Sequence, residues 1–86
     1  MGEKARKAAA REREQTWLIL MANALHYQKA AAHYAEQAMR LSSQVIGADK
    51  GDVIGSFVFA RHAQERAAGC AEAAQDYLTQ LLEFDR

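Results

Sequence analysis

The chain has 86 residues, half of them hydrophobic, with no proline, five glycines and nineteen alanines, and its eleven Lys+Arg balance eleven Asp+Glu. That profile fits one small helix-rich domain and excludes a disordered tail, a collagen-like repeat or a β-sandwich. A single cysteine rules out an intrachain disulfide and any CxxC zinc or redox motif, and no apolar run approaches the roughly eighteen residues that would span a bilayer.

Residues 1–15 read as a basic arm. Lys4, Arg6, Lys7, Arg11 and Arg13 stand among alanines and glutamates that can carry a helix onward. The apolar stretch Trp17–Met21 followed by Ala22-Asn23-Ala24 has the outline of a secretory leader. It is too short, however, and Glu3, Glu12 and Glu14 stand where a leader avoids acids. Arg6 occupies the position where the N-myristoylation pattern needs Ser or Thr. A cytoplasmic protein is therefore expected.

Helix one is predicted over about 16–46. Trp17, Ala24, Ala31, Ala38 and Val45 form one column, and Leu20, Tyr27, Tyr34 and Leu41 form the second. The spacing alternates three and four without a break, which is the seam of a helix packed along its length on another helix. Leu18, Leu25, Ala32, Met39 and Ile46 make a further column about 100° around the rod, with Met21 and Ala35 between. The apolar face is wider than one seam needs.

The only cluster of chain-breaking residues is Gly47-Ala48-Asp49-Lys50-Gly51-Asp52, so the turn is placed at 47–52. Gly47 suits a helix end because it can take positive φ without steric cost. Asp52, with Ser56 as competitor, is the expected cap of helix two, which runs to about 85. Within helix two, Val53, Phe57, Ala60, Ala67, Ala71, Ala74, Leu78 and Leu81 are taken as the packed stripe, interrupted by Gln64. Ala63, Cys70, Tyr77 and Phe84 run beside it. Folding about the turn then sets Leu20 against Leu78, Tyr27 against Ala71 and Ala74, and Leu41 against Phe57.

The predicted architecture is all-α: an antiparallel, coiled-coil-like two-helix hairpin of residues 16–86, dimerising into a four-helix bundle. Dimerisation follows from the surplus apolar surface. A lone hairpin leaves Leu18, Leu25, Met39, Ile46, Tyr77 and Phe84 poorly shielded, and burying each such side chain contributes roughly 1.5–3 kcal/mol. The segment around Val53, Ile54, Phe57, Val58 and Phe59 is apolar in almost every direction. It reads either as a closed bundle end packed on Leu41, Val45 and Ile46 or as a docking tip for another protein.

No catalytic constellation, cofactor motif or metal site is predicted. His33 with Glu36 and His62 with Glu65 form two HxxE pairs, which invites comparison with di-iron bundles. Both fall on polar arcs pointing away from the seam, and the order reverses the Glu-x-x-His of those proteins. Cys70 lies on an apolar stripe, where a thiol is inert. The serines sit around the turn, and Gly55 and Gly69 stand singly in helical context. The chain is read as not an enzyme.

Charge is the main functional clue. Residues 1–46 carry seven Lys/Arg against four Glu, and residues 52–86 carry three Arg against six acids. The leading expectation is a non-catalytic interaction module, an oligomerising adaptor, scaffold or inhibitor of a larger protein assembly. Its partners would be itself and another protein, with no membrane. Its contact residues would be Ile54, Val58 and Phe59 at the tip and Leu18, Leu25, Met39, Tyr77 and Phe84 along the rods. The alternative is a nucleic-acid-binding dimer using Arg6, Lys7, Arg11, Arg13, His26, Lys29 and Arg40 on a basic face of helix one. The small-large layering of the hairpin resembles the Rop family of dimeric bundles, and that resemblance implies RNA contact through the first-helix face. It is one of architecture, with no shared residue motif and a neutral rather than basic chain. Secreted hairpins with a Trp-x-Gly turn are similar in length and topology, but here Ile54-Gly55 lacks the tryptophan and Tyr77 is followed four residues on by Leu81.

Overall fold

Without proline, and with strong helix formers such as alanine, leucine, glutamate, lysine and arginine spread through both halves, either half of the chain can run as one uninterrupted helix. A computed structural model describes residues 2–44 and 49–84. It shows two helices, α1 at Glu3–Ser43 and α2 at Lys50–Phe84, packed on each other as an antiparallel hairpin. The Cα envelope measures 73 × 15 × 12 Å. Among the described residues there is no strand. Val45, Ile46, Gly47, Ala48 and Asp85 fall outside the described residues, and so do the helix end expected at Gly47 and the packing expected of Val45 and Ile46.

The arm and helix one are a single rod, since α1 runs unbroken from Glu3. Its last turn closes with the Gln44 amide donating to the Arg40 carbonyl at 3.2 Å. Arg40 is well placed there for the negative end of the helix dipole. At the other side of the turn, α2 opens at Lys50, ahead of the cap expected at Asp52. The Val53 amide already donates to the Asp49 carbonyl at 2.9 Å, so Asp52 sits inside the first turn. A carboxylate there still meets the exposed amides and the positive end of the dipole.

The seam of α1 is the one the spacing predicts. Trp17, Leu20, Ala24, Tyr27, Ala31, Tyr34, Ala38 and Leu41 are all buried or half-buried. The seam of α2 differs from expectation. It runs Val53, Ser56, Ala60, Ala63, Ala67, Cys70, Ala74, Tyr77, Leu81 and Phe84, again in alternating steps of three and four, while Phe57 and Ala71 stand exposed. The column expected beside the seam has rotated into it. Aromatic pairing accounts for the rotation. Tyr27, expected against Ala71 and Ala74, instead stacks on Tyr77 with ring centroids 5.7 Å apart and planes within 9°. Such a pair contributes about 0.5–1.5 kcal/mol beyond its buried area. Phe57 therefore does not face Leu41. Tyr77 and Phe84 are half-buried seam residues rather than members of a surplus face.

Small side chains control the depth of the seam. The buried residues are Ala24, Ala38, Ala60, Ala63 and Ala74, and no described residue larger than alanine is buried. Alanine lets the two backbones approach closely, but it leaves the large neighbours only half covered. Enlarging one of these alanines must push the rods apart. Ala60→Leu is expected to destabilise the fold by about 1–3 kcal/mol, read as a lower midpoint in urea-induced loss of helical circular dichroism.

Candidate functional site

A two-helix hairpin has two broad faces, one on each side of the plane containing both rods. With Trp17 and Leu20 as the first seam positions, the columns through Leu18 and Met21 project to one side and those through Ile19 and Asn23 to the other. In an antiparallel pair, the corresponding columns of α2 come to the same two sides. Two shallow grooves along the seam confirm the pairing. Ala35, Met39 and Ser42 of α1 share one groove with Gln64 of α2, and Gln37 shares the other with Phe59, His62 and Arg66.

The two faces differ in chemistry. On the first, α1 presents Leu18, Met21, Leu25, Ala32, Ala35 and Met39 in sequence. Opposite them α2 presents Ile54, Phe57, Ala68, Ala71, Leu78 and Leu82. Between Ile54 and Leu82, Arg61 is the one charged residue of α2 in these columns, and α1 has none there between Leu18 and Ser42. Of the nine large apolar side chains exposed among the described residues, six lie here: Leu18, Leu25, Met39, Ile54, Phe57 and Leu82. Met39 is 73% exposed and Leu82 71%. The waist of this face is alanine, and its two ends are bulky.

The second face is largely polar, with Ile19 and Phe59 as its large exposed apolar side chains. It carries His26, His33, Gln37 and Arg40 from α1 and His62, Arg66, Asp76 and Glu83 from α2. The imidazoles of His26 and His33 lie edge-on to their neighbours Tyr27 and Tyr34, at 5.2 and 5.5 Å between ring centroids. Arg66 reaches across from α2 to sit 5.7 Å over the Tyr34 ring. Arg40 is held by Glu36 at 2.8 Å, an i, i+4 pair on one helix. His62 is 3.9 Å from Glu65 on its own helix. Among the described residues, no three His, Cys, Asp or Glu side chains converge on a common point.

The remaining candidates are distributed as follows. At the turn end, Ile54 belongs to the apolar face, whereas Val58, 49% exposed, and Phe59, 65% exposed, project elsewhere. Leu41 is half-buried and borders grooves with Phe59. The seven cationic positions do not share one face. Lys7 and Arg11 continue the columns of Met21 and Leu18, His26 and Arg40 lie on the polar face, and Lys29 points directly away from the seam.

Arg13 closes the open end of the hairpin. Its guanidinium lies 5.3 Å over the Phe84 ring and donates to the Phe84 carbonyl at 3.4 Å. A cation over an aromatic face is a favourable contact at such an exposed site. Residues of α1 before Arg13 therefore project past Phe84 as a single exposed helix carrying Lys4, Arg6, Lys7 and Arg11. No described helix is long and apolar enough to cross a membrane. No protein-family model, curated protein or solved structure matches the chain.

The two-sidedness was hidden in the sequence, because it depends on which columns of α2 join which columns of α1. The signal was present as the charge-free run of columns from Leu18 to Met39. It becomes a face only after Tyr27 and Tyr77 fix the rotation of α2.

Proposed function

We propose that the chain is a non-catalytic helical interaction module that works as a self-associated four-helix bundle, closed through the face bearing Leu18, Leu25, Met39, Ile54 and Leu82. The observation carrying this reading is the mismatch between buried positions that, among the described residues, are all alanine and six large apolar side chains gathered on one side. A monomer that leaves them wet forfeits burial of about 1.5–3 kcal/mol per side chain, against a typical total stability of about 5–15 kcal/mol.

Surface area supports the same reading. The chain exposes 6986 Å², whereas a compact chain of 9.6 kDa exposes roughly 5,100 Å². An interface of standard size covers about 800 Å² on each partner, well within that excess. Once the broad face is closed, Val58 and Phe59 remain exposed at the turn end, where they offer a second, smaller contact to another protein. In that arrangement the bundle acts as an adaptor, scaffold or inhibitor, and recognition falls to the tip.

A second reading, nucleic-acid binding, is favoured by one observation. The helix before Arg13 projects free of α2 with Lys4, Arg6, Lys7 and Arg11 exposed, a geometry that can follow a phosphate backbone. Neutralising those phosphates releases counterions, so binding of a 30-mer RNA or DNA duplex would fall steeply between 50 and 200 mM salt. It would also weaken in an Arg6→Gln, Arg11→Gln double variant.

For the leading reading, Leu25→Glu combined with Met39→Glu is expected to convert a dimer into a monomer in sedimentation equilibrium at micromolar concentration. His33→Glu on the polar face should leave the dimer intact. A wild-type chain that sediments as a stable monomer contradicts the reading.

A further inference from the structure

The occupant and orientation of the apolar face can be specified further, resting on the self-association just proposed. We infer that the face is covered by a second copy of this chain turned end for end, with α1 lying antiparallel on α1 about a two-fold axis near Gln28. Each copy then carries its basic arm to the turn of the other.

Side-chain size sets the register. Along the apolar columns of α1 the order is Leu18, Met21, Leu25, Gln28, Ala32, Ala35, Met39. An end-for-end fold about Gln28 sets Leu25 against Ala32 and Met21 against Ala35 of the second copy, so each large side chain enters the space left by a small one. Leu18 meets Met39 at each end. Gln28 meets itself on the axis, where two amides can donate to and accept from each other. On α2 the same axis falls near Gln75, because Tyr27 is level with Tyr77, and it sets Ala71 against Leu78 and Ala68 against Leu82 of the second copy. The interface is isologous and closes at two chains.

Charge selects the orientation. Lys4, Lys7 and Arg11 continue the columns of Leu18 and Met21, so the apolar face turns basic beyond Arg13. With both copies pointing the same way, these cations would confront their duplicates across the interface. Turning one copy around separates the arms by far more than a Debye length of about 8–10 Å. It also sets Arg11 beside the turn of the second copy, where Asp49 and Asp52 flank Lys50. The excess of positive charge in the first half of the chain over the second finds its complement in this arrangement.

The test is a distance between spin labels. In a Cys70→Ala background, a single nitroxide is placed on Glu3→Cys, an exposed position outside the interface, and the assembly state is measured first by sedimentation. At 1.5 Å rise per residue, the end-for-end dimer places the two labels roughly 75 Å apart. A same-direction dimer brings both arms together, with labels under about 30 Å apart given interaxial distances of 8–10 Å. A dimer with the long distance supports the proposal. A dimer with the short distance overturns the orientation and leaves self-association standing, whereas a labelled chain and an unlabelled wild type that both sediment as monomers overturn the two together.

Discussion

The packing of α1 on α2 through alanine is the constraint from which the other features follow. Ala24 and Ala38 on one rod and Ala60, Ala63 and Ala74 on the other are the residues the hairpin buries. Their small size brings the backbones close and limits how much neighbouring surface each rod can cover. Tyr27, Tyr34, Leu20 and Leu41 straddle the seam half-covered, and the columns farther round are left in the open. A core of this kind aligns two helices well but contributes little transfer free energy, because a methyl group carries little apolar area. A long, thin hairpin also has a high ratio of surface to volume, which places most of its apolar side chains within reach of water.

From that constraint comes the two-sided character of the molecule. The two rods are each apolar over a wide arc, and pairing them consumes only the part of the arc that faces inward. Most of what remains, six of the nine large exposed apolar side chains among the described residues, falls on one side of the hairpin plane, and the polar residues of both rods, His26, His33 and Arg40 with His62, Arg66 and Asp76, fall on the other. The hairpin is therefore amphipathic as a unit. The basic helix before Arg13 and the apolar tip at Val58 and Phe59 extend this plan to the two ends, giving one end cationic chemistry and the other a small greasy contact.

How much of this could be read from the residues depends on the element. The seam of α1 was legible because its two columns contrast, alanine in one and leucine or tyrosine in the other, with spacing that admits one solution. In α2 the columns contrast poorly: alanine occupies the Ala60–Ala67–Ala74 column, the Ala63–Cys70 column and Ala71 alike. Periodicity then fixes that a helix packs but not which stripe it uses, and Phe57 competes with Tyr77 for the inward place. The stacking of Tyr27 on Tyr77 decides between them, and a contact across so long a sequence separation leaves no local trace. The start of α2 at Lys50 rather than Asp52 has a similar origin, since Asp49 and Asp52 are chemically equivalent starts three residues apart. For the functional surface, residue type points to Leu18, Leu25, Met39 and Ile54, but the same ambiguity of stripe turns Tyr77 and Phe84 outward on periodicity alone.

If a second chain is needed to complete the apolar burial, folding and association are one equilibrium, and stability depends on protein concentration. The most direct measurement is the thermal unfolding midpoint, followed by circular dichroism at 222 nm, across a hundredfold range of concentration. Coupled folding and dimerisation gives a midpoint that rises by on the order of 5–10 °C over that range. A reversible transition with the same midpoint at every concentration would show that the alanine seam suffices alone and would contradict the requirement for a second chain.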